Sequence, residues 1–228
     1  MSTILYFAAI IVAIISLILS ANVNGKFKKY SRKPNRRNIT GAQVAENMLR
    51  QAGICDVSIG MSSGHLSDHY DPRNKTVNLS PDVYDGNSIA SVAVAAHECG
   101  HAIQHHQGYF AVSMRSALFP VANLGSRAGI YLFGLGVMLS FFGISIPFLL
   151  DIGIILFTFA VLFHVVTLPV EFNASKRALV TLKNTGVLYE DEMPGARKVL
   201  TAAALTYVAA TAAAIIQLLR LIAIKNRD

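Results

Sequence analysis

Apolar residues fall along this chain in two patterns. Four long runs, Ile4 to Ala21, Ala117 to Phe142, Ile146 to Leu168 and Val199 to Ile224, reach the length of about 20 residues that a helix needs to cross a bilayer. Between the first and second runs the pattern is shorter and mixed. Thr40 to Ala52 sets Val44, Met48 and Leu49 at helical spacing, with Thr40 as N-cap and Gly53 as a C′ stop. Cys55 to Gly60 alternates and suits a strand, Asp71-Pro72-Arg73-Asn74 reads as a turn, and Lys75 to Leu79 suits a second strand. Ser80-Pro81-Asp82 opens a helical turn with Pro at its first position. A helix capped by Asn87 or Ser88 follows, with Ile89, Val92, Ala96 and Ile103 at helical spacing. The expected order here is helix, strand, strand, helix.

Composition sharpens the first pattern. The chain has 228 residues, 53% hydrophobic and 14% charged, with a mean hydropathy of +0.47, too apolar for an ordinary soluble domain. Gly143-Ile144-Ser145 separates the second and third runs as a tight hairpin turn, and the fourth run is Ala/Thr-rich and carries Gln217 and Arg220. The first run has no Lys or Arg before it, is long for a signal-peptide core, and ends in Leu19-Ser20-Ala21 without a cleavage pattern, so it reads as an uncleaved anchor. Lys26, Lys28, Lys29, Arg32, Lys33, Arg36 and Arg37 follow it, and such a cluster stays in the cytoplasm. The net charge of +7 gathers at membrane ends, which favours contact with the lipid bilayer over nucleic acid. The expected division is an anchor over 1–25, a cytoplasmic domain over 26–116, a transmembrane hairpin over 117–168, a cytoplasmic segment over 169–198 and a last span over 199–228.

Chemistry concentrates in His97-Glu98-Cys99-Gly100-His101. Residues i and i+4 share a helical face, so His97 and His101 can both reach one tetrahedral Zn²⁺, while Glu98, turned by about 100°, can meet a water on that ion as a base. A third ligand is expected from the second cytoplasmic segment, where Glu171 follows Pro169, and it would leave the open fourth position that hydrolysis requires. The alternative for Glu171 is an interfacial carboxylate paired with Lys176 or Arg177. Candidates to stabilise an oxyanion are Tyr70, His69, Tyr84, His164 and Arg177. Thr76, Val77, Asn78 and Leu79 form a candidate substrate edge strand. Neither His105 nor His106 is read as a further ligand, and Cys55 and Cys99 read as structural cytoplasmic thiols. Pro169 is expected to redirect the third span into the Glu171 helix.

The stretches Leu66 to Arg73, Lys75 to Ser80 and Ala93 to His105, with the anchor before them and the spans after, resemble the YugP-like neutral zinc metallopeptidases of prokaryotic membranes. The segment at Glu171 also resembles the third-ligand motif of HtpX-like membrane gluzincins. Matched onto it, Glu171 takes the ligand position and Ala174 the small residue, but Ser175 stands where that motif has Asp. The resemblance thus implies one catalytic Zn²⁺, a protein or peptide substrate and a prokaryotic plasma membrane. Ser175, as a weaker acceptor, or Asn173 would orient a zinc-binding His.

The fold class expected is mainly α, a polytopic helical membrane protein with a small zincin-like α+β catalytic domain. The function expected is a membrane-anchored zinc-dependent metalloendopeptidase with its site facing the cytoplasm near the bilayer, acting on membrane or unfolded proteins. Two alternatives are a site-2-type intramembrane metalloprotease and a non-catalytic zinc-containing scaffold or chaperone. The apolar run before His97 is too short for the first, and an intact Glu98 argues against the second.

Overall fold

The computed structural model describes residues 2–144 and 146–226. Ser145, in the expected hairpin turn, lies outside the described residues. The fold is mainly α: α1 (Ser2–Ser31), α2 (Gly41–Gln51), α3 (Pro81–Tyr84), α4 (Ile89–His106), α5 (Phe110–Leu124), a π-helical turn (Gly125–Gly129), α6 (Ile130–Phe141), α7 (Pro147–Asn184) and α8 (Met193–Lys225). Four helical stretches, Ile4–Ser31, Phe110–Phe141, Phe148–Asn184 and Met193–Lys225, are long and apolar enough to cross a membrane.

Helices outrun the apolar runs that announced them. α1 continues through Lys26, Lys28 and Lys29, and α7 continues through Pro169 to Asn184. A proline in mid-helix removes one donor and crowds the turn before it, yet no separate helix starts at Glu171. The chain divides into two compact units, one of Met1–Ile18, Ser113–Leu168 and Thr206–Asp228, the other of Leu19–Val112 and Pro169–Leu205.

In the first unit, α5, the π turn and α6 pack on α7 through small residues. A Cβ on Gly125 would meet the Leu156 carbonyl oxygen at 2.1 Å, and one on Gly153 would meet that of Gly129 at 2.8 Å. Backbones approach this closely only without side chains between them, the usual solution where lipid offers no hydrophobic drive between helices. Phe133, Leu150, Phe157, Val161 and Leu221 fill the space around that crossing. The Lys225 ammonium pairs with Asp151, tying the end of α8 to the start of α7.

In the second unit, α2 and α4 pack face to face. Thr40 caps α2 in a full capping box, Gly53 follows at φ +71°, and Val44, Met48 and Leu49 are buried. Ser88 caps α4 by accepting from the Ser91 amide, and Ile89, Val92, Ala96 and Ile103 are buried as their spacing predicts. The sheet has three strands, β1 (Ser58–Met61), β2 (His69–Asp71) and β3 (Thr76–Leu79). Sequence reading finds two of them; β2 is three residues long, too short to show alternation. β3 runs parallel to β1 and antiparallel to β2, so the order is β1-β3-β2. The expected edge strand Thr76, Val77, Asn78 and Leu79 is therefore the central strand. Both its sides are hydrogen-bonded, and Val77 and Leu79 are wholly buried; the edges belong to β1 and β2.

Candidate metal centre

α4 brings His97 and His101 onto one face, their ring centroids 4.8 Å apart and their planes at 84°. Glu171, on α7, comes up against both. Its Oε2 lies 3.4 Å from His97 Nε2 and 3.5 Å from His101 Nε2. Ligand-capable atoms of the three residues all lie within 4.8 Å of one another, and the Glu171 side chain is only 2% exposed. An isolated carboxylate at such burial would cost several kcal/mol, so its place between two imidazoles is a strongly constrained arrangement. Burial alone would lower the His101 pKa, but hydrogen bonding to Glu171, the Glu98 and Glu171 charges and the Gln104 contact hold it above the ordinary imidazole value.

Close approach of α4 and α7 is what lets one carboxylate meet both rings. The glycine of the motif makes it possible: a Cβ on Gly100 would stand 2.8 Å from the Ala174 carbonyl oxygen. Ala174 is itself fully buried.

The outer nitrogens of both imidazoles are engaged. Ser175 Oγ lies 3.2 Å from His97 Nδ1, so this serine reaches that ring. Gln104 Oε1 lies 3.0 Å from His101 Nδ1, while Gln104 Nε2 donates to the Val170 carbonyl at 2.8 Å and to Asn173 Oδ1 at 2.9 Å. Gln104 is wholly buried. Sequence reasoning missed its part; its signals were its place three residues past His101 on a predicted helix and inside the Ala93 to His105 stretch that carries the family resemblance. Asn173 does not reach a histidine, and its Oδ1 accepts from Gln104 and from Arg177 Nε.

Glu98 is nearly buried, and its Oε2 accepts the backbone N–H of Tyr70 on β2 at 3.1 Å. The candidate oxyanion donors separate accordingly. The Tyr70 hydroxyl lies 3.5 Å from His105 Nδ1; burial first, then the charges of Asp56 and Asp71, raises its pKa. His69 contacts the Ser67 carbonyl and Asn78, Tyr84 packs against the core, and Arg177 bonds Asn173 and Gln107. His164 belongs to the other unit, where its carbonyl accepts from Thr211. Cys99 is buried with Sγ 3.7 Å from the Ala45 carbonyl, and Cys55 is exposed.

Two imidazole nitrogens and one carboxylate oxygen form a donor set that suits zinc with a position left open. A family model described as "Putative neutral zinc metallopeptidase" matches residues 5–226. The chain belongs to this family. It is 44% identical over 202 residues to the "Putative membrane protease YugP" of Bacillus subtilis (strain 168), covering 89% of this chain and 88% of that protein. No solved structure matches. Family membership implies zinc and a peptide substrate, and with four apolar helices the chain is a multi-pass membrane protein.

Proposed function

We propose that the chain is a zinc-dependent endopeptidase whose single ion is held by His97, His101 and Glu171, with Glu98 as general base. The convergence of Glu171 Oε2 on both Nε2 atoms of the motif carries this reading. A zinc ion bound there supplies a Lewis acid that acidifies water and polarises a carbonyl. The chain's own residues do the rest. Glu98, fixed by the Tyr70 amide, takes the proton of the attacking water and delivers it to the leaving amine. Ser175 and Gln104 hold the two imidazoles in the tautomer that presents Nε2. Tyr70 is the favoured oxyanion donor, since it adjoins Glu98 through its own amide and its raised pKa keeps the phenol protonated. Substrate strand addition at Thr76–Leu79 is not part of this reading, because that strand is paired on both sides.

The site is read as cytoplasmic, from the basic cluster after the first apolar run, and as close to the bilayer, because Glu171 lies three residues beyond the run ending at Leu168. The substrates proposed are membrane proteins or unfolded segments near the membrane. That fits the relative named as a putative membrane protease. Zinc content of the detergent-purified protein, measured beside casein cleavage, tests the reading. Glu171→Ala should lose zinc and activity, and Glu98→Gln should keep zinc and lose activity. Stoichiometric zinc and full cleavage in Glu171→Ala would refute the ligand set, and a Glu98→Gln variant that still cleaves would refute the base.

A further inference from the structure

The first unit exposes a charged residue where lipid is expected. Arg127 lies ten residues into the apolar run that starts at Ala117, roughly 15 Å along a helix axis, near the middle of a hydrocarbon layer about 30 Å thick. It occupies the π-helical turn, two residues from Gly125 and two from Gly129. Those glycines carry the close crossing with α7, so Arg127, half a turn away, faces outward, and it is exposed. Asn123 and Tyr131, one turn to either side, are exposed with it, Tyr131 at 77%. Among the described residues, no hydrogen bond or ion pair engages the Arg127 guanidinium.

Such a stripe is costly in lipid. A guanidinium at the centre of a span is disfavoured by about 3 kcal/mol or more, and helical side chains lean toward the helix N-terminus, which fixes the one direction in which this one can stretch. Intramembrane charges ordinarily face a bundle interior or a partner; this one faces neither within its own unit. The π turn adds to the case, since such turns cluster at functional positions.

We propose that the face carrying Asn123, Arg127 and Tyr131 docks a transmembrane helix of another protein, one that presents a carboxylate at the depth of Arg127. Charge decides the occupant. A second copy meeting the same face by two-fold symmetry would set Arg127 against Arg127, and a lipid headgroup can be met only by stretching the side chain or thinning the bilayer. Opposite charge in a medium of low dielectric offsets the cost of both groups, while the Asn123 amide and the Tyr131 hydroxyl add neutral hydrogen bonds. The inference does not depend on the peptidase reading, because none of these residues belongs to the metal centre.

The chain has no tryptophan, so Phe141→Trp, at the exposed end of α6, gives a single tryptophan donor that can be excited selectively at wavelengths where tyrosine does not absorb. The full-length protein in lipid vesicles is titrated with dansyl-labelled single-span Leu/Ala peptides carrying Asp, Asn or Leu at the central position. The Asp peptide should saturate energy transfer at about tenfold lower peptide-to-lipid ratio than the Leu peptide, with Asn between. That advantage should vanish in Arg127→Leu and survive in part in Arg127→Lys. Arg127→Leu removes a charge from lipid and should fold with zinc content equal to wild type. Equal saturation by the Asp and Leu peptides, or an Asp advantage that persists in Arg127→Leu, overturns the proposal. So does transfer between differently labelled copies that is lost in Arg127→Leu, which would make the face a self-association surface.

Discussion

Gly100 on α4 and Ala174 on α7 meet backbone to backbone, with room for a Cβ on Gly100 only at 2.8 Å from the Ala174 carbonyl oxygen. The contact lies within the HECGH motif and three residues past Glu171, so it sets how closely the two helices that carry the proposed ligands approach.

Gly100→Ala should therefore act on the metal before it acts on the fold. Real Cβ atoms do not sit at 2.8 Å from an oxygen, so α4 and α7 must part by a few tenths of an ångström and carry the imidazoles away from Glu171. Zinc affinity is expected to fall about tenfold, with overpacking costing about 1–3 kcal/mol. Chelator competition and thermal unfolding, measured on one preparation, check both. Wild-type zinc affinity in Gly100→Ala would show that the spacing does not matter.

Gln104 links the two halves of the proposed ligand set, touching His101 with one atom and the helix of Glu171 with another. Gln104→Leu keeps the volume but leaves the Val170 carbonyl and the His101 ring without that partner. Zinc binding should weaken about 10–100-fold, and the cobalt-substituted protein should show an altered d–d spectrum. An unchanged spectrum with normal affinity would reduce Gln104 to a packing residue.

Ser175 Oγ lies within hydrogen-bonding reach of His97 Nδ1. Ser175→Ala should weaken zinc about tenfold, while Ser175→Asp should bind it more tightly than wild type. Isothermal titration with zinc decides between them, and the order of the three proteins is the test.

Asp68 offers a pH-dependent reading away from the metal. Burial raises its pKa, against the lowering effect of the Ser80 amide and hydroxyl, which donate to it at 2.7 Å and 3.0 Å. The folded chain thus holds this proton to higher pH than the unfolded chain does. Its contribution favours folding fully below the unfolded value, about 3.9, and is lost as pH rises through the higher folded value. Asp68→Asn keeps an acceptor and removes the charge, so the gap between wild type and variant in thermal stability should shift toward the variant from pH 4 to pH 7. Asp68→Ala should be destabilised at both pH values, by about 1–3 kcal/mol. A wild-type advantage over Asn that grows with pH would reverse the sign argued here.

Much of this architecture is legible because long-period signals survive in one sequence. The apolar runs announce the helices, Thr40 and Ser88 announce the starts of α2 and α4, and the HECGH spacing places two imidazoles together. Glu171, which the fold brings to His97 and His101, could be nominated as a candidate because the expected topology restricts where a third ligand would come from. What escaped was what depends on partners far apart in the chain. β2 is recognisable only through its pairing with β3, and that pairing turns the expected edge strand into the central one. Gln104 is one polar residue among several after the motif until Val170 and Asn173 come beside it. The ends of α1 and α7 escaped because hydropathy marks where lipid ends, whereas a helix stops where its hydrogen bonds do.

The partners of the two imidazoles are both uncharged, a hydroxyl for His97 and an amide for His101. With an aspartate in place of Ser175, the pocket would hold three anions. As built it has two, Glu171 and Glu98. In the reading proposed above, a dication held there would offset buried carboxylate charge more fully than a monovalent ion would. In that reading valence would enter the choice of ion alongside coordination preference, because the side chain beside His97 is the neutral Ser175.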